Sequence, residues 1–339
     1  MTPEEQPSMV AWLEPDQVDL VREVAREAGV SIVAAGTPAK GQSVAGALET
    51  EAVDDLRKVL LTTTSRLVLI ASPGDFGRAI EDAAAVSSAG LRGVHIVSLV
   101  PVPAGAIAAT AGGWLDGSPR PLDIIRFVPL ATLPGSIRGG ADVLESFGAI
   151  RCATIEVLSK SNEALLGAGL MAAMEFAHRL LGEPEGVLAT LVAGGGTREG
   201  AVRDDLRIAS GHVLATLRYG DGRSANVLVS DQAGRWNRTA TILGPGGRLR
   251  IFDDGFEWID AEGDKVDESR RRRRGEEPPT PFAVAAIAEQ IRAIVEGDSG
   301  GAPRGDLMAA LAMTQAGLLS ARTGQAESPA TIRRMGKIG

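Results

Sequence analysis

Few residues in this chain have both the type and the placing to do chemistry, and the informative ones stand at the ends of apolar runs. Three of those ends read Glu14-Pro15-Asp16, Gly36-Thr37-Pro38 and Leu99-Val100-Pro101, and a fourth reads Ser72-Pro73. In a parallel sheet, ligands bind beyond the carboxyl ends of the strands. A glycine-rich phosphate turn, a ribose-binding acid or a proton-transfer group would belong at these ends, and none of them is there. Elsewhere Lys160, in the segment SKSN, and His178, near the end of an apolar helix, are the two candidates for proton transfer. Each has a plain alternative. A strand-end lysine is ordinarily solvated, and a helix-end histidine, like His95 at a strand start, ordinarily serves structure. Glu163 and Glu175 read in the same way, as the wet face of a helix.

The elements that would position these residues follow from periodicity. Apolar runs at residues 9–13, 31–35, 67–71 and 94–100 read as strands. Helical patterns at 16–28, 50–61 and 76–88 alternate with them. The run LVLIA, apolar throughout, suits a strand covered on both faces. Alternation with short links predicts right-handed crossovers and a parallel sheet. After about residue 122 the pattern changes. A strand at 124–129, a helix at 140–147, a strand at 153–158 and a long helix at 163–181 lead into strands at 186–193, 211–219, 224–230, 238–244, 247–252 and 255–259. Asp221-Gly222 is a hairpin turn signal between two of these. Helices at 281–296 and 306–323 close the chain. The expectation is an α/β domain, residues 1–122, followed by an α+β domain, residues 123–339, with one broad, mostly antiparallel sheet.

Composition narrows the function classes. The length of 339 residues suits two cores rather than one. A formal net charge of -8 argues against a nucleic-acid partner. With one cysteine, Cys152, and three scattered histidines, His95, His178 and His212, the sequence offers neither an internal disulfide nor a recognisable metal site. No apolar run reaches the ~18 residues of a membrane span, and the acidic start lacks the features of a signal peptide, so a cytoplasmic location is expected. The run Arg270–Arg274 reads as a solvated loop or as an anion or partner contact. Gly194-Gly195-Gly196 lacks the following helix of a phosphate loop.

The segments LRYGDGRSANVLVS, TATILGPGGRLRIF and ALAMTQAGLLSARTGQ, with HRLLGEPEGVLA before them and SRLVLIASP in the first half, occur in an order that resembles the Gfo/Idh/MocA family. This is the family of glucose-fructose oxidoreductase and inositol dehydrogenase. The resemblance spans nearly the whole chain and implies a Rossmann-like first domain and a second domain whose sheet serves in oligomerisation. It further implies NAD(P) binding and oxidation or reduction of a sugar or cyclitol. Carried over residue by residue, the motifs depart from the family. Glu14, Asp16 and Asp19 stand at the glycine-rich turn, and Gly36 stands at the ribose acid. Ser72 and Pro73 match the third strand's end. Leu99-Val100-Pro101 stands at Glu-Lys-Pro and keeps only the proline. The helical Asp/His pair falls near Ala168 and Ala172. Arg126 sits in a recurrent junction segment, where it would orient a ligand or pair with an acid.

Two functions are therefore expected in competition. One is a catalytically degenerate family member, without a cofactor, that binds or assembles with a second copy or a paralogue through the second-domain sheet. The other is an active NAD(P)-dependent oxidoreductase with atypical residues. A non-redox enzyme using Lys160 or His178 stands third.

Overall fold

The computed structural model describes residues 7–77, 79–100, 125–127, 143–159, 165–193, 206, 209–270, 282–297 and 306–335. The expected boundary near residue 122 lies outside them. The chain divides into two compact units, one of Met1–Val128 with Ala283–Pro303, the other of Pro129–Phe282 with Arg304–Met335.

In the first unit, strands β1 (Ser8–Trp12), β2 (Ser31–Gly36), β3 (Glu51–Val53), β4 (Leu67–Ile70), β5 (His95–Ser98) and β6 (Ile125–Phe127) form one sheet in the order β3-β2-β1-β4-β5-β6. Every described pairing in it is parallel. Helix α1 (Val18–Ala28) buries Val21, Val24, Ala25 and Ala28 at helical spacing against one face. Helices α3 (Leu56–Thr62) and α4 (Ile80–Leu91) cover the other face, while α2 (Ala45–Leu48) is a single turn. Leu67 to Ile70 are all buried, as an apolar run covered on both faces must be.

Three local readings are corrected. Residues 50–61 split into β3 and α3, because the Asp55 carboxylate takes the Arg57 and Lys58 amides at 2.8 and 3.4 Å and starts the helix there. That frees Glu51–Val53 to pair with β2. Helix α4 begins at Ile80 rather than near 76, because Asp82 draws the Gly77 and Ala79 amides into a turn before it. The first closing helix, α6 (Phe282–Val295), returns to the first unit, where Val284, Ile287, Ala288, Ile291 and Ile294 join the core beneath α1.

In the second unit, β7 (Cys152–Leu158), β8 (Gly186–Ala193), β9 (Gly211–Arg218), β10 (Ser224–Ser230), β11 (Asn237–Gly244), β12 (Gly247–Phe252), β13 (Gly255–Ile259) and β14 (Lys265–Arg270) form one sheet, ordered β14-β13-β12-β11-β7-β10-β9-β8. It is antiparallel except where β10 runs parallel to β7. Its buried face alternates Ala153, Ile155 and Val157 with Ala225, Val227 and Val229 of β10. Helices α5 (Leu166–Leu181) and α7 (Leu307–Thr323) cover that face. On the opposite face Leu188, Val192 and Leu214 are exposed. Strand β14, which sequence patterning missed, is charge-rich and exposed along its length, the usual protection of a sheet edge. Among the described residues no helix is long and apolar enough to cross a membrane.

Candidate functional site

The site is framed by the carboxyl ends of the parallel strands. Beyond β1 the chain runs Leu13-Glu14 into a single 3-10 turn, Pro15–Gln17, and then into α1. Backbone amides at such a helix start are what a phosphate would need. Here the Glu14 amide donates to Gln17 Oε1 at 3.0 Å, Pro15 has no N–H, and the Gln17 amide returns to the Glu14 carbonyl at 3.0 Å. Glu14 Oε1 accepts from Ser72 Oγ at 3.4 Å, and Asp16 and Asp19 are exposed. The turn is thus closed on itself and lined with carboxylates. Its signal was present in the sequence as the spacing Glu14-x-x-Gln17, a capping-box pattern.

At the end of β2, Gly36 leaves room for the Trp12 ring, since a β-carbon there would fall 2.4 Å from Trp12 Cζ3. No acid replaces it on that strand. The following loop reaches Pro38, which meets Gly74 from the loop after β4. A β-carbon on Gly74 would lie 2.3 Å from Pro38 Cβ, and the glycine holds φ +60°. Strands β2 and β4 flank β1, so the loops on either side of β1 meet each other. Pro73 is buried beside this contact. The turn after β4 is held by Asp82, fully buried, which bonds the Gly77 and Ala79 amides and the Arg57 guanidinium. Burial pushes the Asp82 carboxyl up, but these donors outweigh it and hold it below the ordinary carboxylate value.

At the end of β5, Leu99 and Val100 are 6% and 3% exposed, and Ser98 Oγ donates to the Val100 carbonyl at 2.7 Å. The position expected of a proton-transfer lysine is a buried valine. Pro101 and Lys160 lie outside the described residues, as do Arg271–Arg274 and Gly194–Gly196. Arg270 ends β14, with its guanidinium 5.2 Å from the Phe252 ring centre and 3.5 Å from Glu268. Arg126 lies half-buried in β6, and His95 is exposed at the start of β5.

On α5 in the second unit, Ala168 and Ala172 are fully buried. The helix start is covered by Leu206, whose carbonyl oxygen would lie 1.7 Å from a β-carbon on Gly167. His178 is half-buried in the last turns of α5, and its carbonyl caps the helix by accepting from Gly182 at 2.7 Å. The ionisable group buried on this helix is Glu175, 5% exposed, bonded through Oε1 to Arg179 while Oε2 has no partner. Burial raises its carboxyl and Arg179 opposes the rise. The wet helix face expected for Glu175 is a buried one, and nothing in the spacing of one glutamate distinguishes the two.

A second buried polar group was not foreseen. Arg238 on β11 donates through Nε to Asp253 Oδ1 at 2.7 Å, and Trp236 Nε1 donates to Asp253 Oδ2 at 2.6 Å. Burial pushes Arg238 down to about 10, against the pull of Asp253, and raises Asp253. The structure thus brings Glu14, Gly36, Ser72 and Pro73 together at the strand ends of the first unit, while His178 belongs to the second.

No protein-family model matches the sequence, and no curated protein does. Solved structures do match over nearly the whole chain. A myo-inositol dehydrogenase from Corynebacterium glutamicum superposes with a TM-score of 0.64 at 17% identity, covering 96% of this chain and 99% of the other. An oxidoreductase from Agrobacterium radiobacter, in complex with NAD+, L-tartaric acid and magnesium, gives 0.66 at 15%, covering 97% and 99%. An oxidoreductase from Sinorhizobium meliloti gives 0.69 at 17%, covering 94% and 98%. With the six-stranded parallel sheet and the eight-stranded sheet already described, these likenesses show that the chain has the two-domain fold of the Gfo/Idh/MocA oxidoreductases.

Proposed function

We propose that this chain is a catalytically degenerate protein of the oxidoreductase fold, acting as a binding or assembly partner rather than in hydride transfer. The observation that carries the reading is the start of α1. The Glu14 and Gln17 amides are satisfied within the turn before it, Pro15 has none, and Glu14, Asp16 and Asp19 stand where a pyrophosphate would approach. Each carboxylate within ~4 Å of a phosphate charge costs about 1 kcal/mol even in water. The Pro38–Gly74 contact, the buried Val100 and the alanines of α5 support the same reading. The partner surface is the open face of the eight-stranded sheet, where Leu188, Val192 and Leu214 are exposed, and the partner is a second copy or a paralogue.

A second reading is an active NAD(P)-dependent oxidoreductase on a sugar, cyclitol or related small molecule. A cavity of about 980 Å³ beside the end of β2 favours it, as does the likeness to an oxidoreductase described with NAD+. Calorimetric titration with NADH and NADPH separates the two. Micromolar binding of either would sink the degenerate reading. Absence of binding, with self-association or capture of a paralogue lost on a Leu214→Asp change, supports it.

A further inference from the structure

The outer face of the eight-stranded sheet carries a second kind of surface, away from its exposed leucines. On β12, Leu249 and Ile251 are buried on the inner face, which places Arg248, Arg250 and Phe252 on the outer one. In register with Phe252 stands Gly255 of β13, and in register with Gly255 stands Arg270 of β14. The glycine leaves that row open. Arg270 reaches across it to within 5.2 Å of the Phe252 ring centre, and Arg250 lies 5.1 Å from the same centre. The apolar Leu214 is distant: β11, β7 and β10 separate β12 from β9, about 19 Å at the usual strand spacing.

Charge on this patch is unbalanced. Glu257 makes a loose contact with Arg248 at 3.8 Å, and Glu268 is shared by Lys265 at 2.9 Å and Arg270 at 3.5 Å. Two acids thus serve three cations, and Arg250 makes no ion pair to a described residue. Exposed pairs of this kind are weak and exchange readily for other partners. Protection of a sheet edge accounts for the charges of β14, but not for Arg250, which sits two strands in. A guanidinium stacked on a phenyl ring is held in place, while the N–H groups around its rim stay open to a carboxylate. Arg270 is also the first of five consecutive arginines in the sequence, and the patch does not depend on the other four.

We propose that the outer face of β12, β13 and β14, centred on Arg250, Phe252 and Arg270, docks an acidic segment of a different protein. Carboxylates of the segment pair with the open guanidinium forks. A second copy of this chain is a poor occupant, because a two-fold contact over the patch would set arginines against arginines. A nucleic acid is a poor one as well. The chain's net charge of -8 repels a polyphosphate, and Glu257 and Glu268 interrupt the basic track. The patch lies wholly in the second unit, and it holds whether or not hydride transfer is lost.

The test is fluorescence anisotropy on the full chain, with a labelled oligoglutamate peptide, an oligoglutamine control and labelled oligo-dT. Oligoglutamate is expected to bind with a Kd of about 100 μM or below in about 50 mM salt, and to be released at about 500 mM. Oligoglutamine should not bind. Arg250→Gln should weaken oligoglutamate about threefold, and Arg250→Gln with Arg270→Gln about tenfold, in variants whose circular dichroism is unchanged. Arg66→Gln, at an exposed arginine of the first unit, should leave binding as it was. Silence from oligoglutamate up to about 1 mM overturns the proposal. Binding that the Arg250 and Arg270 changes leave intact overturns it too, since the attraction would then arise elsewhere on the chain. Oligo-dT bound as tightly as oligoglutamate would give the patch to nucleic acid, and self-association in sedimentation runs that Arg250→Gln abolishes would give it to a second copy; either result overturns the proposal.

Discussion

Gly74 and Pro38 touch across the end of β1: a β-carbon on the glycine would fall 2.3 Å from the proline Cβ. The contact joins the loops of the two strands that flank β1, and it depends on a residue with no side chain and a left-handed backbone. Gly74→Ala therefore meets two costs, a collision and an unfavourable φ of +60°. Chemical denaturation should show a loss of about 2–3 kcal/mol. In a Pro38→Gly background the collision disappears and only the backbone cost, about 1 kcal/mol, should remain. Equal losses in both backgrounds would show that the contact carries no weight.

The turn after β4 rests on one carboxylate. Asp82 is fully buried and accepts from two amides and from Arg57, which is itself 47% exposed. Asp82→Ala leaves the Gly77 and Ala79 amides without their acceptor and should cost about 2–4 kcal/mol. Arg57→Ala should cost no more than about 1 kcal/mol, because solvent screens its side of the pair. The Asp82 carboxyl is held below its ordinary value, so its contribution is present above the unfolded value and is lost as pH falls through the folded one. Asp82→Asn should accordingly flatten the acid limb of the stability profile, which urea titrations at stepped pH would read.

The second-unit triad of Trp236, Arg238 and Asp253 makes a similar prediction with a larger size. Arg238 is 2% exposed by side chain, so Asp253→Ala takes the acceptor of its Nε from a buried guanidinium, at about 3–5 kcal/mol. The double change Arg238→Met, Asp253→Leu should recover most of that loss, because the cost lies in burying a charge without its Asp253 partner rather than in losing the pair's attraction. Thermal unfolding of both variants checks it. A double variant as weak as the single one would assign the pair a net stabilising role.

How far these relationships could be read in advance depends on their range. Strand and helix alternation in the first unit followed from apolar periodicity, and so did the alternating strands of the second. Glu14-x-x-Gln17 and Asp55 are local signals, visible as caps once helix starts are sought. Pro38 and Gly74 are 36 positions apart, and nothing in either loop's composition announces their meeting. The same holds for Leu206 against Gly167 and for Trp236, Arg238 and Asp253, which share a site only after β11 and β12 pair. The charged strand β14 failed for a different reason: an edge strand with no buried face has no hydrophobic pattern to show. Long-range juxtaposition, not propensity, is what the sequence withholds.

Glu175 gives the last prediction. Its carboxyl is raised above the ordinary 4.5, first by burial, with Arg179 opposing. The folded protein therefore holds this proton at pH values where the unfolded chain has released it. The group's contribution is at its best below the unfolded value and is lost as pH rises through the folded one. Glutamine at this position stays neutral throughout and keeps an acceptor for Arg179. Glu175→Gln should thus match the wild type near pH 4 and exceed it by about 1 kcal/mol or more at pH 7, where the wild type must bury a carboxylate with Oε2 unpartnered. Urea denaturation across that interval decides the matter. A stability gap that does not widen with pH would mean that Oε2 finds a partner in solution, and that the charge on α5 is tolerated rather than resisted.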